Sequence, residues 1–199
     1  MSQSPEVSLR ERKRRATHQR IADEAVRLVT QKGVAATTIE DIAAAADIGR
    51  ATFFRYFDAK ETAIAEGFSV PWMTLLIENL VVQPEDLGPL EAVRETFRGF
   101  ADALQDDGRA LVLSQARMSQ ASPGLQAWTL RAYVSFELAI AAAVAHRFTD
   151  LGTDDPRPRL VGALTMSAVR ICLDQWLATD GKGDLPTMLQ QALGTVVVL

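Results

Sequence analysis

A chain of 199 residues, 48% hydrophobic and 23% charged, can bury a sizeable core and is too mixed in polarity to be a disordered segment. Its longest uncharged apolar run, Leu138 to Ala145, is far short of the ~20 residues that cross a bilayer, so no membrane partner is expected. One cysteine, Cys172, and two distant histidines, His18 and His146, exclude a disulfide framework and supply no metal-ligand cluster; neither metal nor cofactor is expected.

The net charge of −4 hides an asymmetry. Between residues 10 and 20, Arg10, Arg12, Lys13, Arg14, Arg15 and Arg20 stand against Glu11 alone, a net of +5. Residues 1–66 carry +1 and residues 67–199 carry −5. Local potential governs attraction to a polyanion, so the basic end is a candidate nucleic-acid contact. A solvated arm is the plain alternative. The basic start is followed by no hydrophobic leader, and a cytoplasmic location is expected.

Residues 1–8 are polar and expected to be mobile. From Leu9 to Lys32, Ile21, Ala25, Leu28 and Val29 recur on one stripe and predict a helix, which Gly33 closes. Thr37 and Thr38 each precede an acid by three positions, Glu40 and Asp41, the reciprocal capping pattern that starts a second helix. Ile39, Ile42, Ala43 and Ala46 form its buried side. Asp47 tolerates the left-handed backbone of a tight turn, with Ile48 beneath it. Gly49 then caps a short third helix, Arg50 to Tyr56, in which Phe53 and Phe57 point inward. Asp58 to Glu61 breaks the chain and starts the next helix.

The remainder is helical by the same periodicity, with turn signals at Gln83-Pro84, Gly88-Pro89, Asp106-Asp107-Gly108, Ser122-Pro123-Gly124, Asp154 to Pro158 and Gly181 to Pro186. Only Val196 to Val198 suggests a strand, and nothing offers it a sheet. The fold class is therefore all-α.

A helix-turn-helix reads DNA by laying its short second helix in the major groove, with phosphate-binding groups flanking it. Arg50, Thr52, Arg55 and Tyr56 suit the first role; the start of the second helix at Thr38, Lys60 and the basic arm suit the second. A plain helical hairpin is the alternative. Over roughly residues 18–66 the chain resembles the TetR family of bacterial transcriptional regulators. The resemblance rests on Thr37-Thr38-Ile39-Glu40-Asp41-Ile42-Ala43, on Ala46 to Phe57, and on Lys60-Glu61. Asp47 stands where the family usually has Gly, Gly49 where Ser or Thr caps, and Phe54 where Tyr is usual.

The resemblance implies a three-helix DNA-binding domain with a basic arm at residues 1–62 and a helical ligand-binding and dimerisation domain at 63–199. It implies that Arg50, Thr52, Phe54, Arg55 and Tyr56 face DNA, with Thr38 and Lys60 on phosphates. Arg50 suits a guanine edge, and Thr52 and Phe54 a thymine methyl. Arg55 and Tyr56 serve equally for phosphate. A lone surface lysine is the other reading of Lys60, and a solvated helix residue that of His18.

The family forms its dimer from the last two long helices of each subunit, here assigned to Pro156–Ala178 and to 184–197. Two recognition helices about 34 Å apart then require a palindromic operator on double-stranded DNA. Candidate effector contacts are Phe97, Phe100, Met118 and Trp128, with Tyr133 and Phe136, and also Trp72 and Gln115. Arg170 and Asp174, four apart in an apolar helix, are read either as ligand contacts or as an ion pair at the dimer interface. The scarcity of charge on these helices suggests a lipophilic or aromatic effector. The function expected is a homodimeric repressor released by that small molecule. The alternative is a sequence-specific DNA-binding regulator without an effector. No phosphate loop, zincin or hydrolase motif is present, and an enzyme is not expected.

Overall fold

The computed structural model describes residues 8–103 and 106–195. Among them are helices α1 (Leu9–Ala36), α2 (Ile39–Ala45), α3 (Arg50–Phe53), α4 (Lys60–Val81), α5 (Pro89–Ala103), α6 (Asp106–Ala121), α7 (Pro123–Val144), α8 (Arg157–Ala178) and α9 (Leu185–Thr195). A short 3₁₀ turn, Ala145–Arg147, follows α7, and no strand occurs among the described residues. Val196 to Val198 and the polar residues 1–7 lie outside them.

The backbone gathers into two compact units that divide between Val70 and Pro71, inside α4. The division falls later than residue 62 because the first turns of α4 are buried in the N-terminal unit: Ala63, Ile64 and Phe68 are inaccessible, and Gly67 lies directly against Ala22 and Val26 of α1. Pro71 has no N–H to give the carbonyl of Gly67, so the helix loses one rung where the units part.

In the N-terminal unit, Ile21, Ala22, Ala25 and Val29 of α1, Ile42 and Ala43 of α2, and Phe53 and Phe57 form the buried set. In the C-terminal unit the largest fully buried side chains are Trp176, Leu80, Ile140, Leu193, Val93, Val144 and Val161. Ser122 caps α7 by accepting from the Leu125 N–H, with Pro123 in the first helical position. Asp106 to Gly108 is not a turn but the opening of α6. Arg147 donates to the carbonyls of Gln83, Pro84 and Leu87, fastening the turn between α4 and α5.

α7 packs most extensively on α8. Gly162 makes the approach possible, since a Cβ there would lie 2.2 Å from the Glu137 carbonyl oxygen. Both helices keep apolar residues outside this contact: Leu130, Val134 and Leu138 on α7, and Leu160, Leu164 and Ile171 on α8, are exposed. By length and composition each segment could cross a membrane, a property the run-length reading missed because charged residues such as Arg131, Glu137, Arg170 and Asp174 interrupt the apolar runs.

The segment 184–197, expected at a subunit interface, turns the apolar side of its described residues to its own unit. Leu185, Leu189 and Leu193 of α9 are buried in the core of their own unit, where α9 packs on α5 and α8 and Arg94 holds the Leu193 carbonyl at 2.9 Å. The last two long helices are α7 and α8, and theirs are the apolar faces left open.

Candidate nucleic-acid interface

Three helix ends meet beneath the helix-turn-helix, and short side chains satisfy their orphan backbone groups. Gly33 turns out of the helical path at φ 81°, and the buried Thr37 hydroxyl donates to its carbonyl at 2.8 Å. Thr38 is the N-cap of α2. Its hydroxyl accepts from the Asp41 N–H at 3.1 Å, and the Asp41 carboxylate accepts from the Thr38 N–H at 3.0 Å, so the reciprocal box forms at Thr38 and not at Thr37. Lys32 pairs with Asp41 at 2.7 Å. Hydrogen bonds from Lys32 and then Thr38 hold the Asp41 carboxyl well below the usual carboxylate range.

Lys60 donates to the carbonyls of Val34 and Thr37 at 2.8 and 2.7 Å, at the end of α1. Sequence reasoning explained this positive charge at a helix start by a nearby phosphate. In the structure it donates to carbonyls at the end of another helix. The Thr38 hydroxyl is likewise already engaged, donating to Asp41 at 2.7 Å.

The turn follows its expected chemistry. Asp47 adopts φ 51°, and the Ile48 N–H returns to the Ala43 carbonyl at 2.9 Å. Gly49 is the N-cap of α3 without a side-chain cap. The α-helix covers only Arg50–Phe53, shorter than the expected Arg50 to Tyr56. Beyond it the chain tightens, the N–H groups of Arg55 and Tyr56 reaching back three residues to the carbonyls of Thr52 and Phe53. Phe53 and Phe57 stay buried throughout. Arg50, Phe54 and Arg55 are exposed and Thr52 and Tyr56 half-buried, so one side of the segment anchors it while the other offers guanidinium, hydroxyl and ring groups.

Two contacts here escaped sequence reasoning. Arg50 pairs with Glu40 of α2, and its guanidinium lies 5.6 Å from the centre of the Phe54 ring. His18 stays partly exposed on α1 but is not isolated there. It packs on Phe57 at 4.4 Å between ring centres, lies near the Tyr56 ring at 6.3 Å, and its Nε2 is 3.3 Å from Glu66. Burial pushes the Glu66 carboxyl up, and His18 opposes the shift. Both contacts join separate helices, so no local spacing announces them.

The basic residues Arg10 to Arg15 are the first turns of α1, where the predicted helix from Leu9 places them. Ser8 caps them by accepting from the Glu11 N–H, and Arg15 pairs with Glu11 at 2.9 Å.

The candidate effector contacts are divided. Phe97 and Phe100 are buried in the core of the C-terminal unit, edge to face at 5.7 Å. Tyr133 and Phe136 pack partly buried against that core, while Trp72, Gln115, Met118 and Trp128 are half-buried. Arg170 and Asp174 are exposed and pair with each other at 3.6 Å, so the apolar surroundings inferred for them are absent within the subunit. Burial raises the Tyr133 hydroxyl, with nearby Asp174 adding to the shift.

Comparison with known proteins agrees with this architecture. Residues 21–66 match the family model for bacterial regulatory proteins of the tetR family, and residues 87–198 match the MftR C-terminal domain. The HTH-type transcriptional regulator TcmR of Streptomyces glaucescens is 33% identical over 181 residues, covering 84% of this chain and 76% of TcmR. Thermus thermophilus FadR, a TetR family repressor solved with lauroyl-CoA, shares the fold at TM-score 0.62 and 23% identity, over 92% of this chain and 96% of FadR. The complex of SmeT with triclosan does so at TM-score 0.59 and 21% identity, over 92% of each chain. The helix-turn-helix, the helical C-terminal unit and these matches place the chain in the TetR family of transcriptional regulators.

Proposed function

We propose that this regulator is a cytoplasmic, homodimeric repressor that binds a palindromic operator on double-stranded DNA and leaves it when a small lipophilic effector binds. The observation that carries the reading is the division of the segment 50–57, with Phe53 and Phe57 anchoring it while Arg50, Phe54 and Arg55 are exposed. Arg50, at the N-terminal end of α3, reads a guanine edge; Thr52 and Phe54 meet a thymine methyl; Arg55 and Tyr56 serve base or phosphate. Phosphates are met by the N-terminus of α2 at Thr38, by the basic start of α1, and by the Lys60 N–H that its two carbonyls leave over.

The apolar faces of α7 and α8 support a two-fold dimer, in which each copy covers the other's Leu130, Val134, Leu138, Leu160 and Leu164. Arg170 and Asp174 then lie at or beside that contact. The lipophilic effector rests on the aromatic side chains of the C-terminal unit, Phe97, Phe100, Trp128, Tyr133 and Phe136 with Met118, and on the large apolar parts of lauroyl-CoA and triclosan, which FadR and SmeT hold. An effector of this kind acts by favouring a conformer whose two recognition segments no longer match successive grooves.

The deciding experiment is selection of duplexes from a randomised library by the purified protein, followed by binding titration with and without lauroyl-CoA. Enrichment of an inverted repeat bound by two chains supports the reading. Recovery of no preferred sequence overturns it, and an operator affinity indifferent to lauroyl-CoA, triclosan and related amphiphiles removes the effector half.

A further inference from the structure

The Glu40–Arg50–Phe54 cluster has no part in the stability of the fold that would account for it. Glu40 and Arg50 are both largely exposed, and exposed ion pairs contribute little to folding. Yet the guanidinium is gripped from two directions. The Glu40 carboxylate, projecting from the first turn of α2, takes one of its N–H edges, and the Phe54 ring faces its carbon at 5.6 Å. Phe54 is itself held by the buried Phe53 ring, edge to face at 5.7 Å. An arginine side chain otherwise samples many rotamers, and binding must then freeze them.

The geometry points to Glu40 as a specificity-determining positioning residue for Arg50. This rests on the DNA-reading role proposed above. The carboxylate acts in two ways. It fixes the guanidinium before DNA arrives, so that base readout loses less entropy. It also neutralises the guanidinium toward phosphate and sets a negative charge on the DNA-facing side, which weakens attachment to any duplex irrespective of sequence. Phosphates are everywhere along a duplex, whereas a guanine edge placed to take the N–H groups that Glu40 leaves over occurs only in the right register. Glu40 thus lowers indiscriminate binding more than operator binding.

The test uses the full chain and two probes: a duplex enriched from a randomised library by the unsubstituted protein, and a shuffled duplex of equal length and composition. Glu40→Gln keeps the side-chain size and removes the charge. It is expected to raise affinity for the shuffled duplex at least about threefold and that for the enriched duplex by less. The salt dependence on the shuffled duplex should steepen by about one unit, as Arg50 becomes free to bind phosphate. In an Arg50→Ala background, Glu40→Gln should leave the ratio of the two affinities where it was. A merely structural Glu40 would move the denaturation midpoint and not these ratios. An unchanged ratio in the single variant, or the same fall in the Arg50→Ala background, overturns the role of Glu40. Failure of the library to enrich any sequence overturns the DNA-reading function itself.

Discussion

Asp41 receives hydrogen bonds from Lys32 and from both the hydroxyl and the backbone of Thr38, and through them it ties the end of α1 to the start of α2. Its carboxyl lies well below the ordinary value of 3.8 in the folded chain. A depressed carboxylate contributes stability that is fully present above its unfolded value and is lost as pH falls toward its folded one. Asp41→Asn should therefore lower the urea midpoint at pH 7 and flatten its decline below about pH 4, measured by circular dichroism across that range. Lys60 gives a second residue-scale prediction. Its two carbonyl bonds make Lys60→Ala destabilising by about 1–3 kcal/mol. With two of its three N–H groups held by carbonyls, Lys60 has little left for phosphate, and the salt dependence of DNA binding should change by clearly less than the one unit expected of a dedicated phosphate contact. Titration of duplex at several salt concentrations, beside thermal melting, separates the two roles.

At the scale of elements, what was legible in the sequence was whatever one helix end determines by itself. Thr38-x-x-Asp41 signalled the start of α2 and Asp47 the left-handed turn, because each device is closed within four residues. Partner choice was not legible. The apolar stripe of α9 shows that one face is buried but not whether its own core or a second subunit buries it, and the core proved to be the answer. His18 and Glu40 act on residues of other helices, and periodicity carries no record of such contacts. The closeness of α7 and α8 was hidden for the same reason, since Gly162 looks like any helical glycine. Gly162→Ala should cost about 1–3 kcal/mol, because its Cβ meets backbone that cannot turn aside. Gly99→Ala, at an open position of α5, should instead stabilise by about 0.5–1 kcal/mol. Chemical denaturation of the pair isolates close packing from helix propensity, since both changes add the same methyl group to a helix.

For the whole molecule, the exposed Leu130, Val134 and Leu138 of α7 and Leu160, Leu164 and Ile171 of α8 are the surface on which the proposed dimer rests. The −5 carried by residues 67–199 lies largely elsewhere on the body, and these two helices keep their exposed rows almost free of acid. A two-fold axis through α7 and α8 would bury the same patch on both copies, so each substitution there acts twice. Leu164→Glu should raise the dimer dissociation constant at least about tenfold, since a buried leucine contributes roughly 1.5–3 kcal/mol per copy and the charge adds a desolvation cost. Sedimentation velocity over a concentration series measures that change directly. The consequence for DNA is separable. A half-site meets one recognition segment whatever the oligomeric state, so the variant's affinity for a single half-site duplex should be little altered. Its affinity for the full inverted repeat should fall toward that of the half-site, because the second segment is no longer delivered at high effective concentration. A variant that turned monomeric yet kept full-repeat affinity would mean that the two copies meet on DNA through some other surface, and that the apolar faces of α7 and α8 serve a different partner.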